Sequence, residues 1–224
     1  MRVLYSDNDI AVIVKPVGLL SQADANGGES AVSLLSEMFA CEIYPLHRLD
    51  KQVSGVMVYA KNKAAAAKLS ADIAEHRFVK EYLAVVHGTP DGRGEMCDLL
   101  FKDSRKGKSY VVKRMRKGVK EAFLEYECLK TDNELSLVKV LLHTGRTHQI
   151  RVHSAYIGLA VAGDAVYGPK KVITELSGQC LHAKKIGFIH PKTKEYMEFD
   201  SDLPEYFTVF LNKIKPKGLV LRSK

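Results

Sequence analysis

Two short segments of the chain concentrate the side chains that could carry out chemistry. The first places one carboxylate among cationic neighbours and reads His47-Arg48-Leu49-Asp50, with Ser54-Gly55 shortly after it. A carboxylate held in a loop before a buried strand can serve as a nucleophile or as a base. The second segment, residues 144–153, is rich in arginine and histidine. His148 and Arg151 are three residues apart there, so they share one face of a helix.

The sequence lacks the residue patterns of several common enzyme classes. His148 and His153 are five apart with no glutamate between them, which excludes the metalloprotease pattern H-E-x-x-H. The first segment has a leucine inside the kinase-like H-R-D triplet, and the kinase loops G-x-G-x-x-G and D-F-G are missing. The chain also lacks a P-loop and a G-x-S-x-G elbow. No two of the four cysteines have C-x-x-C spacing, so we expect no structural zinc and no disulfide.

The charge distribution points to a polyanionic partner. The chain carries a formal net charge of +8, and residues 102–120 hold nine cations opposed only by Asp103. Clustered cations gain affinity for phosphates by releasing counterions. The nine cations are Lys102, Arg105, Lys106, Lys108, Lys113, Arg114, Arg116, Lys117 and Lys120. We expect this stretch to contact RNA or DNA, the alternative being a solvated hairpin. A basic tail, residues 212–224, repeats the bias more weakly.

The elements that must position these residues follow from hydrophobic patterning. Of 224 residues, 46% are hydrophobic and 27% are charged, which is typical of a globular protein. No linker or repeat divides the chain, so residues 1–224 are predicted to form one domain. Apolar runs are too short for a membrane span, and no signal peptide precedes the first strand, so a cytoplasmic protein is expected.

Strands outnumber helices and seldom alternate with them. This pattern predicts an α+β domain with a central, largely antiparallel mixed sheet flanked by helices and loops. Strands are predicted within residues 4–15 on either side of a turn at 7–9, and over 56–60, 80–87, 109–112, 122–129, 135–142, 179–189 and 195–199. Helices are predicted over 30–39, 64–73, 147–157 and 203–211, with N-caps at Ser30, Asn62 and Thr147 and with Pro204 opening the last.

Six segments, in this order, resemble the RluA-type pseudouridine synthases over residues 7–211. They begin with residues 15–19 and the Asp50 segment, and residues 80–88 resemble the strand that carries the family's active-site tyrosine, here Tyr82. Residues 145–153 resemble the second signature and 163–168 the loop after it, while 181–183 also fit. Val53 stands where the family usually has threonine, which removes one hydroxyl. The S4 RNA-binding domain that many relatives carry is not expected here.

The resemblance implies an isomerase that converts uridine in RNA to pseudouridine without metal or redox cofactor. It implies that Asp50 is the essential carboxylate, attacking C1′ or removing the 2′-proton, and that Arg151 pairs with Asp50. It also implies that Tyr82 stacks on uracil and that its hydroxyl helps to remove the C5 proton. Removing Arg151 is then expected to cost about 3–5 kcal/mol by leaving a buried charge unpaired. The flipped base would leave a space for Arg48. The implied RNA-binding residues are His47, Arg48, Arg146, Lys106, Lys113, Arg114 and Arg116.

Three readings of function remain open from the residues. The first is the RNA isomerase, acting as a monomer on a tRNA or rRNA stem-loop whose identity the residues do not specify. The second is a catalytically silent RNA-binding protein on the same scaffold, and the third is a phosphate-binding enzyme with a free nucleotide as substrate. Arg146 is expected to hold phosphate, and His47 to contact the nucleotide or to pack under the loop. His148 and His153 are expected to order their helix by hydrogen bonds.

Overall fold

One large sheet forms the centre of the computed structural model, which describes residues 1–24, 27–132, 134–169 and 178–214. Its first strands are β1 (Arg2–Ser6), β2 (Ile10–Lys15), β3 (Tyr44–Pro45), β4 (Ser54–Ala60), β5 (Val79–His87) and β6 (Arg93–Asp103). The others are β7 (Lys108–Val112), β8 (Val119–Thr131), β9 (Leu135–Leu142), β10 (Leu181–Ile189) and β11 (Tyr196–Asp200). The helices are α1 (Ala31–Phe39), α2 (Lys63–Ala74), α3 (Gln149–Tyr156) and α4 (Glu205–Lys213).

The strand order is β1-β2-β4-β10-β5-β9-β8-β6-β7, with β3 beside β4 and β11 beside β10. Within the described residues, β4 and β10 form the one parallel strand pair, so the expected α+β class with a largely antiparallel sheet is confirmed. The central strands are the most apolar: all seven residues of β4 are buried, as are five of the six in β2. In β9 every second residue is buried, as expected for a strand with one face on the core.

The first two helices begin where the sequence predicts. The Ser30 hydroxyl accepts the backbone N–H of Ser33, whose own hydroxyl accepts the N–H of Ser30, forming a reciprocal capping box. The Asn62 side chain accepts the N–H of Ala65 at the start of α2. Residue 204 precedes α4, also as predicted.

The predicted cap of α3 is wrong. The helix begins one residue later than Thr147 allows, after His148 in a left-handed conformation with φ 56°. The reason is tertiary, because the Thr147 carbonyl accepts a hydrogen bond from Ser109 in β7. The buried Gln149 side chain then orders the turn, accepting the N–H of Arg146 and donating to the Phe123 carbonyl in β8.

The basic stretch of residues 102–120 lies at the outer edge of the sheet. It spans the end of β6, the turn into β7, all of β7 and the start of β8. Strand β6 was not predicted. Most of the tail at 212–224 lies outside the described residues, as does every basic residue from 215 onward. Cys41, Cys97, Cys128 and Cys180 are unpaired, and no helix within the described ranges is long and apolar enough to cross a membrane.

Candidate active site

A cleft of about 610 Å³ opens where the two chemistry-bearing segments meet. Its walls come from residues 45–50, the C-terminal end of α2, the start of β5, and residues 142–151, which run from the end of β9 into α3. The cleft lies on the face of the sheet that carries Tyr82. Asp50 is the only carboxylate among the described residues that line it.

The loop that carries Asp50 is anchored from below by Lys15. The Lys15 side chain is fully buried at the end of β2, and its ammonium donates to the carbonyls of Pro16, Leu19 and Lys51. The Val53 N–H donates to the Asp50 carbonyl and closes a turn. Burial lowers the pKa of Lys15 to about 8, although the nearby Asp50 charge opposes that shift. The position of the Asp50 backbone is therefore set by hydrogen bonds that do not involve its carboxylate.

The Asp50 carboxylate is held by Arg151. Nη1 of Arg151 donates to Oδ2 of Asp50 at 2.7 Å. The side chain of Asp50 is 21% exposed, against 4% for that of Arg151, so the carboxylate faces the cleft and the guanidinium lies behind it. Within the described part of the chain, the other carboxylate oxygen, Oδ1, accepts no hydrogen bond. One oxygen of Asp50 is thus fixed and the other is available to a ligand.

A second carboxylate, Asp164, fixes the guanidinium. Nε and Nη2 of Arg151 donate to its two oxygens at 2.7 and 2.9 Å, and the Asp164 side chain is fully buried. Oδ1 of Asp164 also accepts the N–H groups of Val166 and Tyr167. Burial by itself would raise the pKa of Asp164, but Arg151 and these two N–H groups outweigh it and hold the pKa below its usual value. Asp164 therefore orients Arg151, which in turn orients Asp50.

Tyr82 lies beside Asp50 in the middle of the sheet. It pairs with Ala183 of β10 on one side and with Val140 of β9 on the other, and it is 7% exposed. Burial, with a smaller contribution from the Asp50 charge, raises the pKa of Tyr82 far above its usual value. Its hydroxyl is therefore protonated at neutral pH.

His148 completes the surroundings of Asp50. Its Nε2 lies 3.7 Å from Oδ2 of Asp50, and its Nδ1 lies 3.0 Å from the Tyr167 hydroxyl. The same hydroxyl accepts the Ser109 N–H, and the Tyr167 ring packs under the Arg151 guanidinium with 5.2 Å to its centroid. Burial lowers the pKa of His148 more than Asp50 raises it, so the imidazole is neutral near pH 7. His148 thus makes a hydrogen bond to the loop that carries Tyr167, and its side chain does not cap α3.

The remaining residues expected at the site fall into two groups. His47, Arg48 and Arg146 line the cleft. Of these, His47 accepts the Val58 N–H on Nε2, so it packs under the loop, and burial lowers its pKa to about 3. Arg48 is exposed. Four cations of the basic stretch are exposed and lie outside the cleft lining: Lys106, Lys113, Arg114 and Arg116.

The expectation for His153 is wrong. This residue is fully buried, and neither ring nitrogen has a hydrogen-bond partner among the described residues. Its nearest carboxylate is that of Asp98, at 3.9 Å. His153 therefore fills the core below α3 and does not order the helix through hydrogen bonds.

One group of potential metal ligands exists among the described residues, away from the cleft. It consists of Asp7, Asp9 and His190. Nδ1 of His190 accepts two backbone N–H groups, and Nε2 lies 2.9 Å from Asp7. An imidazole whose Nδ1 accepts hydrogen bonds carries its proton on Nε2 and has no lone pair there for a metal. The group links two turns and does not fit a metal site.

Comparison with known proteins agrees with this geometry. A model of the family described as RNA pseudouridylate synthase matches residues 9–156. An uncharacterised RNA pseudouridine synthase of Bacillus subtilis is 35% identical over 97% of this chain and 74% of its own length. The ribosomal large subunit pseudouridine synthase D of Zymomonas mobilis is 32% identical over 92% of this chain and 70% of its own length.

Solved structures share the fold. Human RNA pseudouridylate synthase domain containing 4 superposes with a TM-score of 0.77 and 24% identity, covering 96% of this chain and 94% of the human one. Human RNA pseudouridylate synthase domain containing 1 gives a TM-score of 0.74 and 25% identity, covering 91% of this chain and 83% of the human one.

Proposed function

The chain belongs to the RNA pseudouridylate synthase family, as its motifs predict, and we propose that it isomerises uridine in RNA with Asp50 as the reacting carboxylate. In this reaction the C1′–N1 bond of uridine breaks, the uracil turns within the cleft, and a C1′–C5 bond forms. The proton on C5 leaves and N1 gains one, so atoms and charges balance without an oxidant or a reductant.

One observation carries this proposal. Among the described residues that line the cleft, Asp50 is the one carboxylate; one of its oxygens is fixed by a buried arginine and the other is open to the cavity, beside a buried tyrosine. The cavity volume of about 610 Å³ is within the range of sites that enclose a small organic group. A base inside folded RNA must leave its stack to reach Asp50, at a cost of a few kcal/mol. Arg48, which is exposed and lines the cleft, is proposed to fill the space that the base leaves.

The free oxygen of Asp50 can act in one of two ways. It can attack C1′, as glycosidase carboxylates do, or it can remove the proton on C2′. RNA carrying deuterium at C2′ of uridine distinguishes the two roles. A primary isotope effect on tritium release supports proton removal, and its absence at rate-limiting chemistry supports attack at C1′.

Tyr82 is proposed to stack on the uracil. Because its hydroxyl is protonated at neutral pH, it cannot accept the C5 proton unless it first passes its own proton on. The buried ring, on the cleft face of β5, is suited to the apolar contact that a flipped base needs.

We propose ribosomal RNA of the large subunit as the substrate, because curated relatives are named for that RNA. The exposed cations at positions 106, 113, 114 and 116 then contact RNA outside the cleft. We further propose a single catalytic domain that acts as a cytoplasmic monomer and uses neither metal nor redox cofactor. A tRNA substrate is the alternative that the mapping experiment below can reveal.

The direct test is tritium release from transcripts labelled at C5 of uridine. The wild type is expected to release tritium from large-subunit rRNA, and Asp50→Ala is expected to release none while still binding the transcript. Release by neither protein, with binding by both, supports the silent RNA-binding alternative. Activity on uridine or UMP alone supports the free-nucleotide alternative. Pseudouridine mapping in cells with and without the gene then identifies the position.

A further inference from the structure

The cleft contains a buried cation to which the proposed reaction gives no role. Lys80 lies two residues before Tyr82 in β5, so both side chains project from the same face of the sheet. Lys80 is 9% exposed and lines the cleft. Among the described residues, no carboxylate lies within ion-pair distance of its ammonium and the side chain makes no hydrogen bond. A lysine this deeply buried is rare unless it is paired.

A second cation of the same cleft, Arg146, lies close enough to Lys80 to repel its ammonium. Its Nε donates to the Glu121 carbonyl in β8, and its backbone N–H donates to the Gln149 side chain, so its position is fixed by β8 and α3. Burial lowers the pKa of Lys80, and the Arg146 charge lowers it further. Two cations that repel each other in a partly desolvated cleft are costly unless an anion lies between them.

The other charges of the cleft do not supply that anion. Among its described lining residues, four carry a full positive charge, namely Arg48, Lys80, Arg146 and Arg151, and one carries a negative charge, Asp50. Arg151 is engaged by Asp50 and Asp164. His47 is neutral, because burial and the Lys80 charge lower its pKa to about 3. The end of the cleft around Lys80 therefore has an uncompensated positive charge.

We propose that Lys80 and Arg146 form a subsite for one phosphodiester of the RNA backbone, next to the uridine whose sugar meets Asp50. The proposal rests on the proposed function, because it takes the occupant of the cleft to be RNA. A phosphate has the charge and the several acceptor oxygens that two neighbouring cations of one cleft require. A uracil carbonyl is neutral and would leave one of the two cations unpaired.

The test compares Lys80→Met with wild type on a large-subunit rRNA transcript labelled with tritium at C5 of uridine. Methionine keeps the apolar stem of the side chain and removes only the charge. We expect kcat/KM to fall about 10- to 100-fold, the loss typical of one charge-assisted hydrogen bond, with kcat at saturating RNA changed less than threefold. The slope of log(kcat/KM) against log[KCl] is expected to become shallower by about 0.7–0.9.

Thermal unfolding and a matched control separate this role from a structural one. Since Lys80→Met removes an unpaired buried charge, its Tm is expected to equal or exceed that of wild type. Lys192→Met, on the exposed turn between β10 and β11, is expected to leave kcat/KM within twofold of wild type. An unchanged KM and salt slope overturn the proposal, as does a loss confined to kcat, which would place Lys80 at the reacting base.

Failure of the proposed function gives a different result. If the wild type releases no tritium from the transcript, the isomerase assignment fails, and the subsite is then tested by filter binding of the same RNA. Lys80→Met is still expected to weaken that binding and to make its salt slope shallower. Equal binding by the two proteins at every salt concentration refutes the subsite in either case.

Discussion

Replacing Arg151 by methionine should destabilise the protein mainly through Asp164. Both carboxylates lose their guanidinium in Arg151→Met, but Asp50 is 21% exposed and can be hydrated, whereas Asp164 is fully buried. Among the described residues, the donors that Asp164 keeps are two backbone N–H groups. Breaking a buried ion pair from one side costs about 3–5 kcal/mol. At roughly 2–4 °C per kcal/mol for a chain of this size, Tm should fall by about 6–20 °C.

The direction in which stability changes with pH follows from the pKa of Asp164. In the wild type the pKa of Asp164 is below its unfolded value, so its contribution to stability is present above the unfolded pKa and is lost as pH falls through the folded pKa. In Arg151→Met burial acts without the arginine and raises the pKa of Asp164. The variant should therefore recover stability, relative to wild type, as pH falls from about 7 to 5.

Thermal unfolding of three variants tests the reasoning. The double variant Arg151→Met/Asp164→Asn should be more stable than Arg151→Met, because it no longer contains the stranded charge. Arg93→Met removes an exposed pair with Glu127, which water screens, and should leave Tm nearly unchanged. Tritium release by Arg151→Met is measured well below the Tm of the variant, so that a loss of activity cannot be caused by unfolding. The prediction is refuted if the free energy of unfolding of Arg151→Met is within about 1 kcal/mol of that of wild type. It is also refuted if the double variant is less stable than Arg151→Met.

Four further predictions follow from the site. Asp50→Asn should abolish tritium release and change Tm by no more than about 4 °C, because the residue faces the cleft; retention of turnover would contradict its role. Tyr82→Phe should retain RNA binding, and between pH 7 and 10 the wild-type rate should show no ionisation that the variant lacks, since burial and the Asp50 charge raise the pKa of the Tyr82 hydroxyl. Acidification from pH 6.5 towards 4 should destabilise the wild type by up to about 3 kcal/mol through His182, whose pKa burial lowers to about 4, so the unfolded chain binds the extra proton; urea titrations of His182→Asn should show a smaller loss. Arg48→Ala should slow modification of a folded stem-loop more than that of an unstructured strand with the same uridine, and equal effects on the two RNAs would argue against a role in base flipping.

The elements that the sequence predicts correctly carry strong local signals. Strand β4 contains an apolar run over residues 56–60, and α2 follows an asparagine cap with a series of good helix formers. The strand β6 was missed because its burial is shallow on both faces: only Leu100 of its eleven residues is buried. It is held by pairing with β7 and β8 rather than by an apolar face. Its sequence shows neither an alternation of apolar and polar residues nor a run of β-branched residues, the two patterns from which strands are predicted.

The candidate site, like the fold, could be predicted only where the signal lies within a short stretch of sequence. The motifs identify Asp50, Tyr82 and Arg151, and the structure brings these three together. The roles of Lys15 and Asp164 and the burial of Lys80 in the cleft were missed, because they follow from contacts made only in the folded chain. The Lys15 ammonium donates to the Lys51 carbonyl, and Asp164 accepts from Arg151. For Asp164 a signal existed: a buried guanidinium presents more donors than one carboxylate can accept, so Arg151 needed further acceptors besides Asp50.

Gly55, in the Asp50 segment, lies beside Ala183, in the segment 181–183, so two of the segments that resemble the family are in direct contact. Ser54 and Gly55 pair in parallel with His182 and Ala183 where β4 and β10 lie side by side. Gly55 has φ +128°, and a Cβ there would lie 2.3 Å from the Ala183 carbonyl oxygen. Any side chain at this position would force the two strands apart. Because β10 separates β4 from β5, that displacement would also separate the Asp50 loop from Tyr82. The glycine therefore serves the site through strand spacing, and a pattern that reads as a catalytic signature is partly a packing requirement of the sheet.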